Sequence, residues 1–447
     1  MDSNLNFQYH TFGCKVNTYD TGLMQKKINP ETHNLSSTAV AKDAAMTGKV
    51  YPVHILNTCA VTQEATLQAV KLIRKLKAKD PISTIVVTGC AAQVDTKHFE
   101  NIPAVDLVVA NSHKHELVEI LNQFFKKELP HKVIKGNIFK KEDLGLGGGQ
   151  EKEHTRAFLK IQDGCNSFCS YCIIPYARGT SRSLSAKSLV AKIKELHGAG
   201  VNEVVLTGVH IGDYEDPISG RRLEDLLESL LSETQIPRIR LSSLEPVEVT
   251  ARMLSLFKNS RLCPHFHMSI QSANSQVLKD MKRNYSQKEV VESLEQIKKE
   301  LPHSFVGMDV IVGFPTETEE SFQDTLSALE KTPWERIHVF PYSERHGTKA
   351  ALIAEAVPMA VRKKRAEILR ELSFNRLLAA AQRQVNQEKK ILVMKNQQGL
   401  SADYWTVKVP EAKEFMDSWV GQEITVKIKG LEVRKAQQDV LLVGELL

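Results

Sequence analysis

Residues 157–172 read AFLKIQDGCNSFCSYC. The opening AFLKIQ is typical of a buried β-strand, and Cys165, Cys169 and Cys172 follow it in the spacing CxxxCxxC. A closed zinc site or an ordinary ferredoxin-type cluster uses four protein ligands, and no fourth cysteine follows here. An iron–sulfur cluster held by three thiolates keeps one iron open, and open coordination positions are where metal sites do chemistry. The stretch therefore predicts a reactive metal site directly after a strand.

A fourth ligand from elsewhere in the chain remains an alternative. A zinc ribbon would need a second CxxC downstream, and the sequence contains none. Cys263 lies about 90 residues away and is better explained as a core or loop thiol. His265 and His267 are the other candidates, but they alternate with Phe266 along a strand pattern and need no metal.

The region that follows this stretch alternates between strand and helix patterns. Because six strand–helix units fall short of the eight of a full barrel, they indicate a partial (β/α)6 barrel. The cysteines follow its first strand, which predicts a position at the C-terminal face, where barrel active sites gather. The six predicted strands are AFLKIQ, NEVVLTG, RIRLSS, HFHMSIQ, FVGMDVIVGF and RIHVFPYS.

Three further cysteines lie upstream, in a region that also alternates between strands and helices. This alternation, through about residue 130, predicts an open parallel sheet covered by helices. Cys14, Cys59 and Cys90 each follow a predicted strand, so they can converge at the edge formed by the carboxyl ends of the strands. The alternative is three unrelated buried thiols, since a free cysteine is often a small core residue.

The chain divides into three predicted domains of the α/β class. An open α/β sheet domain covers residues 5–130, the partial barrel covers 151–381, and a small all-β barrel covers 384–447. A glycine-rich, charged linker is predicted at 140–154. Short β-patterned runs broken by Gly, Asn and Asp predict the last domain, a kind of small barrel that often binds nucleic acid.

Composition excludes some classes of protein but does not identify the function. The 447 residues carry seven cysteines and a formal charge of +6, and no disulfide scaffold pattern is present. The N-terminal residues lack a signal-peptide layout and no apolar run is long enough for a membrane span, which predicts a cytoplasmic protein. Residues 362–383 hold seven Arg or Lys against two Glu, and this helix either follows a phosphate backbone or is simply a solvated surface.

The motifs resemble those of the radical S-adenosylmethionine methylthiotransferase family over nearly the whole chain. The β-rich tail is similar to the TRAM domain of that family. TGVHIGDY, PYARGTSRS and HVFPYSERHGT are most similar to the branch that acts on N6-threonylcarbamoyladenosine in tRNA. The other matching motifs, in family order, include TFGCKVN, LNTCAVTQEA, VVTGCAAQ, FLKIQDGCNSFCSYC, HFHMSIQSAN and DVIVGFPTETEESF.

The resemblance implies two [4Fe–4S] clusters. Cys14, Cys59 and Cys90 match the ligands of an auxiliary cluster that holds the sulfur to be donated. Cys165, Cys169 and Cys172 match the ligands of the radical cluster, whose open iron binds S-adenosylmethionine. Reduction by a donor such as flavodoxin or ferredoxin then cleaves S-adenosylmethionine to methionine and a 5′-deoxyadenosyl radical. The implied outcome is replacement of C–H by C–SCH3 at carbon 2 of the adenine, with a second S-adenosylmethionine supplying the methyl group.

Pocket residues are predicted from their positions beside ligands or near strand ends. No acid–base pair is nominated, because the ring C–H is too weakly acidic for a side-chain base. Asp309, Glu317, His265 and His267 are therefore expected to be structural. The candidates for hydrogen bonds to the cofactor, each with packing as the alternative, are Tyr171, Thr207, Gly208, Ser242, Ser243 and Gln271.

Three other functions are compatible with parts of the sequence. Related enzymes methylthiolate N6-isopentenyladenosine in tRNA or an aspartate of a ribosomal protein, and both share the cluster ligands. A non-catalytic iron–sulfur or zinc protein that binds RNA is the alternative from a different class. Two three-cysteine sites disfavour it, because a structural metal is usually fully ligated by protein.

Overall fold

The computed structural model describes residues 5–28, 51–141, 144, 154–395, 398–410 and 417–447. These residues form two compact units. The cysteine unit contains the described part of residues 1–149 together with 162–184 and 343–348. The barrel unit contains 154–161, 185–342 and the described part of 349–447. Among the described helices, none is both long and apolar enough to cross a membrane.

The cysteine unit is built on a five-stranded parallel sheet with the order β1-β2-β3-β4-β5. This confirms the predicted open α/β sheet. Its strands are β1 (Leu5–Thr11), β2 (Tyr51–Thr58), β3 (Thr84–Gly89), β4 (Leu107–Ala110) and β5 (Val133–Ile134). The α-helices that accompany these five strands are α1 (Lys15–Lys27), α2 (Gln63–Lys79), α3 (Cys90–Val94), α4 (Thr96–Glu100) and α5 (Leu117–Lys126).

The segment with the CxxxCxxC motif belongs to the cysteine unit, although it follows the first strand of the barrel unit, β6 (Ala157–Lys160). An antiparallel pair, β7 (Gln162–Asp163) and β8 (Arg182–Ser183), closes the segment at its base. A short helix, α6 (Ile174–Arg178), follows the third cysteine of the motif. The motif therefore lies on a loop whose two ends are held together by the pairing of β7 with β8.

The barrel unit contains all six predicted strands, and every strand pair among them is parallel. They form the sheets β10-β9-β6 and β11-β12-β13-β14. The predicted third strand, RIRLSS, is interrupted at Ser242, so its two halves pair in different sheets. The remaining strands are β9 (Glu203–Thr207), β10 (Arg238–Leu241), β11 (Ser243–Leu244), β12 (His265–Gln271), β13 (Phe305–Val312) and β14 (Arg336–Pro341).

Helices alternate with these strands, as the sequence predicts. Five of them begin at a Ser, Thr or Asn whose side chain accepts a hydrogen bond from the first turn, which satisfies an otherwise unpaired amide. The helices are α7 (Ala186–Gly198), α8 (Leu223–Glu233), α9 (Ala251–Leu256), α10 (Ser275–Asp280), α11 (Gln287–Glu300), α12 (Glu319–Lys331) and α13 (Met359–Gln382).

The C-terminal strands close into a small barrel with the order β15-β16-β17-β19-β18, as expected for a TRAM-like fold. Leu377 and Ala381 of α13 pack into its apolar core against Ile391 and Trp405. The three-domain boundaries stay a prediction, and the predicted linker at 140–154 lies mostly outside the described residues. The strands are β15 (Glu388–Met394), β16 (Gln398–Ser401), β17 (Thr406–Lys408), β18 (Glu423–Arg434) and β19 (Asp439–Leu446).

The basic helix at 362–383 buries two of its seven Arg and Lys side chains, and both interpretations of the remaining charge, a phosphate-binding face or a solvated surface, stay predictions. Arg362 and Arg365 are 3% and 5% exposed. Arg362 donates to the carbonyls of Val357 and Tyr342, and Arg365 pairs with Glu317. Burial of these guanidinium groups is possible because each finds acceptors inside the unit. Their charges are therefore not displayed to a partner.

A buried ion cluster joins the first barrel strands to the C-terminal barrel. Glu203 is fully buried and accepts from Arg240, at 2.8 Å, and from Arg238, at 2.7 Å. Arg240 also donates to the carbonyls of Ser401 and Ala402. Burial alone would raise the pKa of Glu203, but Arg240 and Arg238 hold it at about 2. The carboxylate therefore stays charged in the folded protein at any moderate pH.

We expect Glu203→Gln to destabilise the protein, because it leaves two buried guanidinium groups without their carboxylate. Breaking a buried pair costs about 3–5 kcal/mol in the free energy of unfolding. Since the folded pKa lies below the ordinary value of 4.5, the wild-type advantage is complete above that value and shrinks as the pH falls towards 2. Denaturant unfolding at pH 7 and pH 4 measures both effects.

Glu233→Gln, at an exposed glutamate that ends α8, is the matched control and should leave stability close to wild type. An unfolding free energy for Glu203→Gln equal to that of this control at pH 7 would show that the cluster contributes no net stability.

Candidate functional site

Three cysteines lie at the carboxyl ends of neighbouring strands in the cysteine unit. Cys14 precedes α1, Cys59 directly follows β2, and Cys90 begins α3 directly after β3. The sheet register pairs Thr11 with Asn57 and Thr58 with Gly89, so these strand ends are level with one another. The fold therefore brings together three residues that are far apart in sequence.

Close backbone packing keeps these cysteines near one another. Gly13 has φ of +90°, and a Cβ there would lie only 2.5 Å from Sγ of Cys59. Burial, with smaller contributions from the nearby Cys90 and Cys14, raises the pKa of Cys59 to about 12. The Cys59 side chain is therefore a neutral thiol in the metal-free protein, and a metal must displace its proton on binding.

A buried arginine connects this site to the CxxxCxxC segment. Arg178, at the end of α6, is 3% exposed and donates through Nε to Sγ of Cys90 at 3.2 Å. Its Nη1 donates to Asp163 at 2.8 Å, and its Nη2 donates to Asn17 at 2.6 Å and Asp20 at 3.2 Å. Burial opposes the charge of Arg178, but Asp163, Cys90 and Asp20 together hold its pKa above the usual value.

A second buried cation completes the polar cluster. Lys114 donates to Asp20 and to Asn57, at 3.1 Å in each case. Burial lowers the pKa of Lys114, and Asp20 opposes that shift. Asn111 donates to Sγ of Cys90 at 3.5 Å. Two N–H donors, from Arg178 and Asn111, are therefore directed at Sγ of Cys90, which suits a sulfur atom that carries negative charge once it binds metal.

The CxxxCxxC segment is held by its own backbone. The amide of Cys165 donates to the carbonyl of Gly179 at 3.1 Å, and the amide of Cys172 donates to that of Cys169 at 3.0 Å. The amide of Ser167 donates to Sγ of Cys165 at 3.4 Å. At Gly164, with φ of +76°, a Cβ would lie 2.0 Å from the carbonyl oxygen of Thr180, so only glycine lets the two ends of the segment approach.

Both predicted cysteine sets therefore lie in the cysteine unit, and Arg178 touches the structure around each. It contacts Cys90 of the first set, and the next residue, Gly179, accepts from Cys165 of the second. None of Arg178, Asn17, Asp20 and Lys114 was assigned a side-chain role by the sequence analysis. Signals were present for Arg178, which lies in the motif PYARGTSRS, and for Asn17, which ends the motif TFGCKVN.

The other predicted pocket residues are divided between the units. Tyr171 lies in the cysteine unit, whereas Thr207, Gly208, Ser242, Ser243 and Gln271 lie in the barrel unit at or just beyond the ends of β9, β10 and β12 or at the start of β11.

Two of these barrel residues have unusual local structure. Oγ of Ser242 is buried and has no hydrogen-bond partner among the described residues. Gln271 has φ of +63°, a conformation that non-glycine residues adopt at a cost.

The residues that were expected to be structural have partners within the barrel unit. His267 pairs with Asp309 at 3.0 Å, and the ring of His265 stacks on Tyr404. Glu317 accepts from Arg365, as described above, and from the amide of Gly313. Cys263 is fully buried.

A polar cluster that the sequence analysis missed follows β9 and β11. Nε2 of His210 lies 2.5 Å from Oε1 of Glu248 and 3.3 Å from Oε1 of Glu245, and Nδ1 lies 3.2 Å from Asp213. Arg283 pairs with Glu245 at 2.6 Å. Burial raises the pKa of Glu245, while Arg283 lowers it. Because His210 lies in the quoted motif TGVHIGDY, that motif was a signal for it.

Two family models match the chain. The Radical SAM superfamily matches residues 159–329, and "Uncharacterized protein family UPF0004" matches residues 6–110. The first region covers Cys165, Cys169 and Cys172, and the second covers Cys14, Cys59 and Cys90.

Named relatives cover nearly the whole chain. The threonylcarbamoyladenosine tRNA methylthiotransferase MtaB of Aquifex aeolicus is 36% identical over 91% of this chain and 97% of its own length. The protein of the same name in Rickettsia prowazekii is 34% identical over 97% of each chain. The tRNA-2-methylthio-N(6)-dimethylallyladenosine synthase of Staphylococcus epidermidis is 32% identical over 83% of this chain and 71% of its own.

A solved structure shares the fold. The radical S-adenosylmethionine methyltransferase TsrM of Kitasatospora setae matches with a TM-score of 0.55 and 11% identity, over 78% of this chain and 75% of its own. At that identity the likeness concerns the fold alone. The family matches and the long relatives agree with one another, and the chain therefore belongs to the radical S-adenosylmethionine methylthiotransferase family, on its MtaB-like side.

Proposed function

We propose that the protein methylthiolates carbon 2 of N6-threonylcarbamoyladenosine in tRNA. The observation that carries the proposal is the pair of three-cysteine sets in one unit, linked by Arg178. Each set is one thiolate short of closed coordination, which suits reactive rather than structural metal sites. The names of the relatives from Aquifex aeolicus and Rickettsia prowazekii support the choice of this nucleoside.

The donor set at the strand ends fits an iron–sulfur cluster. Cys14, Cys59 and Cys90 offer three thiols at one sheet edge, and Arg178 and Asn111 already donate to Sγ of Cys90. Hydrogen bonds to the sulfur ligands stabilise the negative charge that a cluster brings and tune its potential. We propose that these residues hold the cluster from which sulfur is delivered.

The second donor set fits a cluster that works with S-adenosylmethionine. Cys165, Cys169 and Cys172 lie on the closed loop, and the amide of Ser167 donates to Sγ of Cys165. When bound, this cluster supplies the electron that cleaves S-adenosylmethionine to a carbon radical, which can remove a hydrogen that no side-chain base could. The task of the loop is to fix the ligands and leave one iron open.

Cofactor contacts are proposed at the strand ends of the barrel unit. Ser242 is the strongest candidate, because a buried hydroxyl without a partner is costly unless a ligand supplies one. The positive φ of Gln271 is strain of the kind that binding sites retain. Thr207, Gly208 and Ser243 are proposed on position alone, as is Tyr171 in the cysteine unit. We expect these residues to orient the cofactor and to exclude water.

A reconstituted assay tests the substrate. Purified protein loaded with iron and sulfide is incubated with S-adenosylmethionine, dithionite and anticodon stem-loops that carry either N6-threonylcarbamoyladenosine or N6-isopentenyladenosine. We expect the methylthio product on the first RNA only. Product on the second RNA alone would keep the chemistry and overturn the substrate. Absence of product from both, with S-adenosylmethionine still cleaved, would favour a protein substrate.

A further inference from the structure

Three aromatic rings lie together on the surface of the cysteine unit. Phe139, Phe168 and Tyr176 are 41%, 38% and 40% exposed. Their ring centroids are 6.0–6.5 Å apart, with Tyr176 edge-on to the other two. Single exposed apolar side chains need no explanation, but a cluster of exposed aromatic rings marks an interaction surface. We call these three residues the aromatic patch.

The aromatic patch is built on the loop that carries Cys165, Cys169 and Cys172. Phe168 directly precedes Cys169, and residues 166–168 are exposed. Phe139 belongs to a short turn that packs on Gly179, where a Cβ would lie 2.6 Å from the carbonyl oxygen of Ile138. Gly179 in turn accepts the hydrogen bond from Cys165. The patch is therefore in direct structural contact with this cysteine set.

The chain segments that form the aromatic patch are basic. Residues 131–141 contain four lysines and no acidic residue, and Lys135 and Lys140 are exposed. Residues 164–184 contain no acidic residue, and of their two arginines only Arg182 is partly exposed, because Arg178 is buried and paired with Asp163 and Asp20. Glu142 and Asp143 follow in the sequence but lie outside the described residues. Positive charge around an apolar centre favours an acidic partner and speeds its association.

We infer that the aromatic patch is the docking surface for an acidic one-electron carrier protein that reduces the cluster held by Cys165, Cys169 and Cys172. The inference rests on the proposed function, which requires one electron at that cluster. The carrier is oxidised by one electron and the cluster is reduced by one, and no atom is transferred. Electron-carrier interfaces are small and transient, so three rings with a charged rim are a sufficient surface.

RNA is the competing occupant, because exposed aromatic rings also stack on bases. The position favours the carrier. Electron transfer slows steeply with distance, and Phe168 is bonded to a cysteine of the set, whereas base stacking gains nothing from that connection.

The test compares two reductants on the full-length protein with its clusters loaded. Phe139→Ala changes the aromatic patch and Lys140→Glu changes the basic segment beside it, and neither replaces a cysteine. Ile218→Ala and Lys258→Glu are exposed controls in the barrel unit. The readouts are the rate of cluster reduction, followed by absorbance, and 5′-deoxyadenosine formed without RNA. Each is driven either by reduced flavodoxin or by dithionite.

We expect the double variant Phe139→Ala/Lys140→Glu to lower flavodoxin-driven cluster reduction about tenfold at low salt, as loss of a docking contact does. Dithionite-driven reduction should be unchanged, and the controls should match wild type with both reductants. An unchanged flavodoxin-driven rate would overturn the inference. If binding of tRNA is also weaker in that case, the patch would be assigned to RNA. Failure of the proposed function appears separately, as normal cluster reduction without any methylthio nucleoside.

Discussion

We expect replacement of Cys165 with alanine to abolish both the cleavage of S-adenosylmethionine and the methylthio product, and replacement of Cys90 to abolish the product but leave cleavage intact. The two results differ because each cysteine belongs to a different proposed cluster. Cys165 lies in the loop set, and Cys90 lies in the strand-end set beside Arg178. A chain with a single functional metal site would lose both activities, or neither, on either substitution.

Mass spectrometry of 5′-deoxyadenosine and of the RNA nucleosides measures both activities in one reaction. Iron analysis accompanies it. We expect about eight irons per chain in the loaded wild type and about four when either set is removed entirely. Cys263→Ala is the matched control, because Cys263 is buried in the barrel unit and belongs to neither set. Methylthio product from the Cys165→Ala variant would contradict the proposed chemistry.

The second large effect is expected at Arg178. Arg178→Met leaves Asp163 without its 2.8 Å partner, removes one of two cations from Asp20 and removes a donor from Sγ of Cys90. Breaking a buried ion pair costs about 3–5 kcal/mol. We therefore expect a lower unfolding temperature and reduced iron content. Arg178→Lys keeps the charge but not the planar fork, so it should recover only part of both.

Thermal unfolding of the metal-free protein and iron analysis after reconstitution separate the two contributions. If Arg178 is only a packing residue, Lys should rescue stability and iron content together. If it also tunes the strand-end cluster, the cluster that Arg178→Lys still holds should show a changed redox titration. Arg252→Met is the control, since Arg252 is an exposed arginine and its partners, Asp225 and Glu228, are also accessible to solvent. Wild-type stability and iron content in Arg178→Met would show that the network has no such role.

The sequence was sufficient for the features that follow from local pattern. Strand-terminal positions identified Cys14, Cys59 and Cys90 as a group, because parallel strands end at one edge. Alternation of strand and helix patterns was enough for the six barrel strands and for the order of the three regions. The interruption at Ser242 was not visible, since RIRLSS has the pattern of one continuous strand.

The buried charge network could not be predicted, because its members are far apart in the chain. Arg178 and Asn17 are separated by 161 residues, and no local pattern distinguishes a buried arginine from a surface one. The same problem applies to the basic helix at 362–383, where sequence could not show which charges are buried. Arg362 and Arg365 count as positive charge in the sequence, but the fold supplies acceptors that bury them. The number of charges along a helix therefore does not show which of them are exposed.

The most direct test of the proposed reaction is mass spectrometry of tRNA nucleosides from a methylthio-deficient host, grown with and without this gene. We predict that the gene converts N6-threonylcarbamoyladenosine to its 2-methylthio form and that the Cys165→Ala gene does not. If both cysteine sets are loaded with iron in that host and no tRNA nucleoside changes, the result would contradict the assignment to tRNA.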